Sequence, residues 1–490
     1  MQVESGSFIF LVYPFLFEED TFRGREEAFD RAEWGELGNP WKPQRKVVRD
    51  VLKHVGDYLN PPPGAPVTAR MWDLDGNALS SPQGLGGGGD WRLKLKDREI
   101  GFRIDEVQLV LFHLGVGLLT LRVRPLSQDG ADWLDLLHYA RFADRAHSGT
   151  VRIERRVGID PVSRAPKYEP LFPARCGGAA RHPDGQGLLI EVIAGLLEDG
   201  RLTSEKPAID GRHGWWREVF VPGQLLPFAS LFVRGVPAEE VPPMLFRLQN
   251  FFHSRQQLYP SADDLNPRQP GLLAYADRQW FAFSLDGGAF VAFDPPDTPF
   301  FRETLPDHLA DQYFLLFLLV LHQRFTLMKL SEDVSRHWRV EGETAATADR
   351  HDEYSQRERV FRRIRDGLLS FTARGHFVQV MQRQHHHRCY RRWQETFQIA
   401  ELYAEVDHEV HEMHEYLLLE RTEHLAERSK CLERRLDQIA MILGPPALIL
   451  GYFDAVGGES RLSVLLWSIG GLAIGWLGWR AVRWGFRDDE

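Results

Sequence analysis

The chain has 490 residues and a formal net charge of −10, with 43% hydrophobic and 26% charged residues. That length accommodates about two or three domains, and the composition is that of a folded protein. The acidic balance argues against a general nucleic-acid coat. Three scattered cysteines, Cys176, Cys389 and Cys431, exclude a disulfide framework or a cysteine-built zinc site and fit a reducing compartment.

The first apolar run, FIFLVYPFLF at 8–17, follows Glu4 without a basic segment or a small-residue cleavage site. It lacks the pattern of a secretory signal and is shorter than the roughly 20 residues a helical span needs, so it reads as a buried strand. Residues 24–34 and 47–59 read as helices, the second stopped by Asn60-Pro61-Pro62-Pro63-Gly64. The alternation at 91–96 predicts a half-buried strand, and 107–113 with 117–124 predict a hairpin. Residues 132–145 form an amphipathic helix pattern with Trp133, Leu136, Leu137, Ala140 and Phe142 on its apolar side. The glycines at 84–89 lack the Lys-Ser/Thr ending of a phosphate loop, and Asp73–Asn77 lacks the closing Glu of a calcium loop. Both read as loops.

Between 150 and 300 the text is punctuated by Pro and Gly. Residues 188–197 and 242–254 carry helical patterns, 218–221 and 225–233 strand patterns, and Asp286-Gly287-Gly288 a hairpin turn between 280–285 and 289–293. No nucleophile elbow, HExxH or paired-cysteine motif is present, so an enzyme is not the expected reading. Residues 1–300 are accordingly expected to form a cytoplasmic α/β body with room for two subdomains.

A helix is expected over 305–340. Its nine-residue run YFLLFLLVL at 313–321 is too short to span a bilayer and reads as buried core. After a loop at 341–349, Arg350–Arg374 resumes a helix dense in arginine. Arg359, Arg362 and Arg363 make it a candidate surface for an anionic ligand, against the plainer reading of solvated arginines.

From His376 to Leu443 there is no Gly or Pro, and the text favours helix. As one helix those residues would extend about 100 Å, a stalk rather than a globular helix. Its apolar positions, among them Ile399, Val406, Met413, Leu425, Leu432 and Ile439, keep to one face and suit association with other stalks. Ten acidic residues and one arginine lie between Glu395 and Glu427. Within them His408, His411 and His414 alternate with Glu412 and Glu415, a candidate site for a divalent cation such as zinc.

Two uncharged segments follow, 439–453 and 462–479. The second is 18 residues long, enough to span a bilayer. The first contains Gly444-Pro445-Pro446, a kink that frees carbonyls and is tolerated where a pore or neighbours satisfy them. Gly471 and Gly475 offer a smooth packing face. Lys430, Arg434 and Arg435 precede the first segment and Arg480, Arg483 and Arg487 follow the second, which places both termini in the cytoplasm. The expected organisation is thus 1–300 body, 301–437 helical stalk region and 438–484 two transmembrane helices.

This arrangement, clearest over 350–490, resembles the CorA-type metal-ion transporters. The resemblance implies a homopentamer in the inner (plasma) membrane, a pore lined by the first span, and passage of divalent cations such as Mg2+ or Zn2+. The family's outer Gly-Met-Asn motif is replaced here by Gly451-Tyr452-Phe453-Asp454, which places Asp454 at the outer mouth. A branch of the family associated with type III CRISPR antiviral defence also lacks the motif and is thought to respond to a nucleotide second messenger, SAM-AMP. The long N-terminal part and the basic residues at 357–392 resemble that branch loosely.

Overall fold

The computed structural model describes the chain except 45–47, 81–84, 86–89, 143–150, 174–186, 199–201, 204–213, 220, 222, 257, 265–270, 338–349, 457–468, 471–472, 474–475 and 477–490. For 441–456 the description covers the backbone alone. The chain divides into two compact units, Met1–Glu409 and Val410–Glu490.

The first unit is organised on one mixed sheet of fourteen strands. Its middle runs in the order Gly287–Phe293, Leu226–Arg234, Phe8–Phe17, Val116–Pro125, Glu99–Phe112, so residues from both halves of the body build one sheet. Leu226–Arg234 pairs with Gly287–Phe293 in parallel, while its pairing with Phe8–Phe17 is antiparallel. All ten residues of Phe8–Phe17 are buried, as a central strand covered on both faces requires. The hairpin Glu99–Phe112/Val116–Pro125 closes at Gly115, which stands at φ 79° with the Phe17 carbonyl where a Cβ would project.

Strand alternation sends one set of side chains to each face. Ile9, Leu11 and Tyr13, with Leu109, Leu119 and Leu121, join a large core with Trp133, Leu136 and Leu137 of the helix Gly130–Ala140 and with the helix Leu189–Glu198. On the opposite face Phe10 stacks on Phe314 at 3.8 Å between ring centres, Phe228 on Phe317 at 5.7 Å, and Phe112 on His322 at 3.8 Å. These partners belong to the core helix Phe314–His337, which is entered through π-helical turns at Phe300–Thr304 and Leu309–Tyr313.

By length and composition Phe300–Arg336 is the one described helix apolar enough to cross a membrane, yet 83% of its apolar window is buried in the protein. It is a core helix of the body, as the short run at 313–321 implies. The arginine-rich helix Arg350–Arg374 follows.

The stretch from His376 is not one helix. Residues 375–383 pass alongside the body without helix, Gln384–Thr396 forms a separate helix, and Ile399–Val456 is the long one. The break falls at Phe397 and Gln398, where Gln398 adopts φ 54°. Burial explains it: Trp393 packs on Phe283 and Phe317, both at 4.7 Å, and Phe397 stacks on Trp393 at 5.4 Å. A straight continuation would forfeit those contacts.

In the second unit the long helix continues through Gly444, Pro445 and Pro446 to Val456 and includes Gly451–Asp454. Leu425, Leu432, Leu436 and Ile439 are exposed there, each by at least half. Of the segment at 462–479, Ile469, Gly470, Ala473 and Trp476 are described, so Gly471 and Gly475 lie outside the described residues.

Candidate functional site

The hairpin strands break their apolar pattern at four alternate positions. Glu106 pairs across the ladder with Arg122, and Gln108 with Thr120, so the four form a polar square on one sheet face. Their neighbours Val107, Leu109, Leu119 and Leu121 point into the opposite core.

A cavity of about 290 Å³ lies over this square. The sheet forms its floor, with Phe10 beside the polar residues. Phe314, Leu315 and Leu318 of the core helix form an apolar wall, and the π-helical turn Leu309–Tyr313 presents Ala310 and Asp311 to it. The roof is a short helix, Lys53–Leu59, which contributes Lys53, Gly56, Asp57 and Leu59.

The polar square is only partly satisfied. The Gln108 amide donates to Gln44 Oε1 at 3.1 Å and to Asp73 Oδ1 at 3.2 Å. Arg122 lies 3.6 Å from Glu106, with its guanidinium 4.5 Å from the centre of the Phe8 ring. Thr120 is 1% exposed, and neither its hydroxyl nor the Arg122 Nε–H has a hydrogen-bond partner. Leaving such groups dry costs about 1–3 kcal/mol each.

The cavity offers an apolar wall, the half-buried amides of Gln44 and Asn60, and side chains of both charge signs. It fits a small molecule with a flat apolar part and a hydrogen-bonding edge. The described lining residues include the titratable side chains Lys53, Asp57, Glu106, Asp311 and Arg122.

Behind the roof helix lies a buried polar cluster. The Tyr58 hydroxyl is 2.7 Å from His322 Nε2, and His322 Nδ1 is 3.1 Å from the Thr326 hydroxyl. Burial, helped by nearby His113, holds His322 far below the usual histidine range, and burial raises the Tyr58 hydroxyl. The pair is a neutral hydrogen-bonded tie.

The residues singled out in the sequence lie elsewhere. Arg359, Arg362 and Arg363 are exposed on Arg350–Arg374, Arg362 is paired with Glu358 at 2.9 Å, and none of the three lines the cavity. His408, His411, His414, Glu412 and Glu415 are exposed on the long helix, with His411 3.4 Å from Glu415. Among the described residues no group of three His, Cys, Asp or Glu side chains is arranged to hold a metal ion.

No family model, curated protein or solved structure matches this chain. The site therefore rests on its own geometry. Sequence reasoning located the hairpin but missed the square, whose signal was four polar residues at period two in otherwise apolar strands.

Proposed function

We propose that the chain is a ligand-regulated, CorA-like membrane channel for divalent cations such as Mg2+ or Zn2+. The observation that carries the regulated part is the cavity itself, with an apolar wall from the core helix facing polar and charged side chains. The membrane part rests on the two uncharged segments at 439–453 and 462–479 and on the basic residues that flank them.

In this reading both termini are cytoplasmic and the chain assembles as a homopentamer in the inner membrane. The first span lines the pore, with Gly444, Pro445 and Pro446 freeing carbonyls toward it. Gly471 and Gly475 pack the second span closely against its neighbour. Gly451-Tyr452-Phe453-Asp454 stands at the outer mouth, where a ring of Asp454 carboxylates concentrates cations.

A second reading takes the cavity's aromatic side as a seat for the base of a nucleotide and Lys53, which shares the lining with Asp57, Glu106 and Asp311, as the cation for its phosphate. In that case a nucleotide second messenger such as SAM-AMP opens the membrane part as an antiviral response. The pore assignment is tested with Asp454→Asn in liposomes. It should lower cation flux without reducing membrane incorporation, and unchanged flux would remove the ring.

A further inference from the structure

The roof of the cavity is also the inner partner of the connector that leads to the last two helices of the first unit. The roof helix Lys53–Leu59 turns Lys53, Gly56 and Leu59 to the cavity and His54 and Tyr58 to the connector, with Asp57 bordering both. The Tyr58 ring lies 5.3 Å from that of Phe377, and His54 lies 5.8 Å from it. Just before the helix, the Leu52 amide donates to the Val380 carbonyl at 2.9 Å, and Val51 bridges Met381. The Gln382 amide donates in return to the Asp50 carbonyl at 3.4 Å, and Arg383 lies 3.0 Å from the Asp50 carboxylate. Val380 and Met381 are fully buried, so this join is packed as well as hydrogen-bonded. Gln384–Thr396 begins at the next residue.

The segment is bounded by two backbone turns. At its start Asp50 adopts φ 65°, a left-handed conformation that aspartate tolerates better than most residues. At its end three prolines run into Gly64 at φ 88°. Between these ends, Tyr58 is tied to the core helix by its hydrogen bond to His322 and by the stacking of the two rings, and its carbonyl accepts from the Thr68 hydroxyl. A space of about 740 Å³ on the connector side, lined by Tyr58, Pro62, Arg374 and Phe377, leaves room for displacement.

We propose that residues 50–64 are a strap that carries the occupancy of the cavity to the connector 377–383. An occupant that meets Gly56 and Asp57 moves the strap, and the paired backbone at 380–382 moves with it. The direction in which Gln384–Thr396 leaves the connector then depends on what fills the cavity. Because coupling between two sites is reciprocal, a change at the connector must also be felt at the roof. The proposal rests on the ligand-regulated reading and supplies its route out of the cavity.

The test needs no ligand. Gly56 has open space where a Cβ would stand, so Gly56→Trp places an indole in the cavity as a built-in occupant. Hydrogen exchange is followed on the full-length protein in lipid nanodiscs. The Gln382 amide should change its exchange rate by about tenfold or more. Gly24→Trp, also in open space but on Phe22–Asp30, should leave it unchanged. In the reverse arm, Phe377→Leu loosens the connector's hold on Tyr58, and the Asn60 amide, which donates to the Gly56 carbonyl, should exchange faster by a similar factor. If Gly56→Trp does not fold, the reverse arm decides. Rates within about twofold of wild type at the far end in a folded variant overturn the proposal. No flux enters this experiment, so its failure removes the strap and leaves the channel reading standing. Absent flux with the strap response intact removes only the channel.

Discussion

Thr120 has a fully buried hydroxyl with no partner, in a strand that would tolerate valine. Thr120→Val keeps the shape and removes a polar atom that the empty protein leaves unsatisfied. Its thermal midpoint should equal or exceed wild type, by up to about 1 kcal/mol in stability. A loss of more than about 2 kcal/mol would mean that the hydroxyl is satisfied in the unliganded protein. The buried histidines give a pH signature. Burial, with His385 adding to it, pushes His386 from the ordinary 6.5 down to about 4. The unfolded chain therefore binds more protons than the native one between those values, and stability drops as pH falls from about 6.5 toward about 4. His322, depressed by burial, acts in the same direction. Thermal midpoints measured across that window should fall less steeply in His386→Leu than in wild type, and identical slopes would contradict this assignment.

The helix Gln384–Thr396 depends on one glycine. A Cβ on Gly288 would overlap the Trp393 ring, so Gly288→Ala should cost about 1–3 kcal/mol by overpacking. Trp393→Leu in the same chain should relieve part of that cost, and the double-mutant cycle measured by thermal denaturation reads the coupling. Simple additivity would place the helix elsewhere. Much at this scale was legible in advance. The buried strand Phe8–Phe17, the hairpin closing at Gly115 and the helix Arg350–Arg374 follow from apolar runs, glycine and helix formers. The break at Gln398 was not legible, because no Gly or Pro marks it. It is imposed by Trp393 and Phe397 packing on the body, and tertiary contacts of that kind override local propensity. The cavity stayed hidden for a related reason. Its floor and wall come from strands and a helix about 200 residues apart, and only the sheet register brings Glu106, Gln108, Thr120 and Arg122 into one square.

The molecule joins a densely packed body to a long helix whose apolar residues change character along its length. Ile399 and Val406 are buried, whereas Leu425, Leu432 and Ile439, spaced seven apart, are exposed. A seven-residue apolar period left uncovered by the described residues suits packing against copies of the same helix. Sequence periodicity revealed this stripe, although it did not separate the buried part from the exposed part. The membrane reading likewise comes from the uncharged segments at 439–453 and 462–479. Cation flux into liposomes carrying the purified full-length protein tests the account most directly, with and without a panel of nucleotide messengers. The account predicts flux that a cavity ligand changes and that Asp454→Asn lowers. An absence of flux under every condition, from protein shown to be inserted in the bilayer, would contradict it.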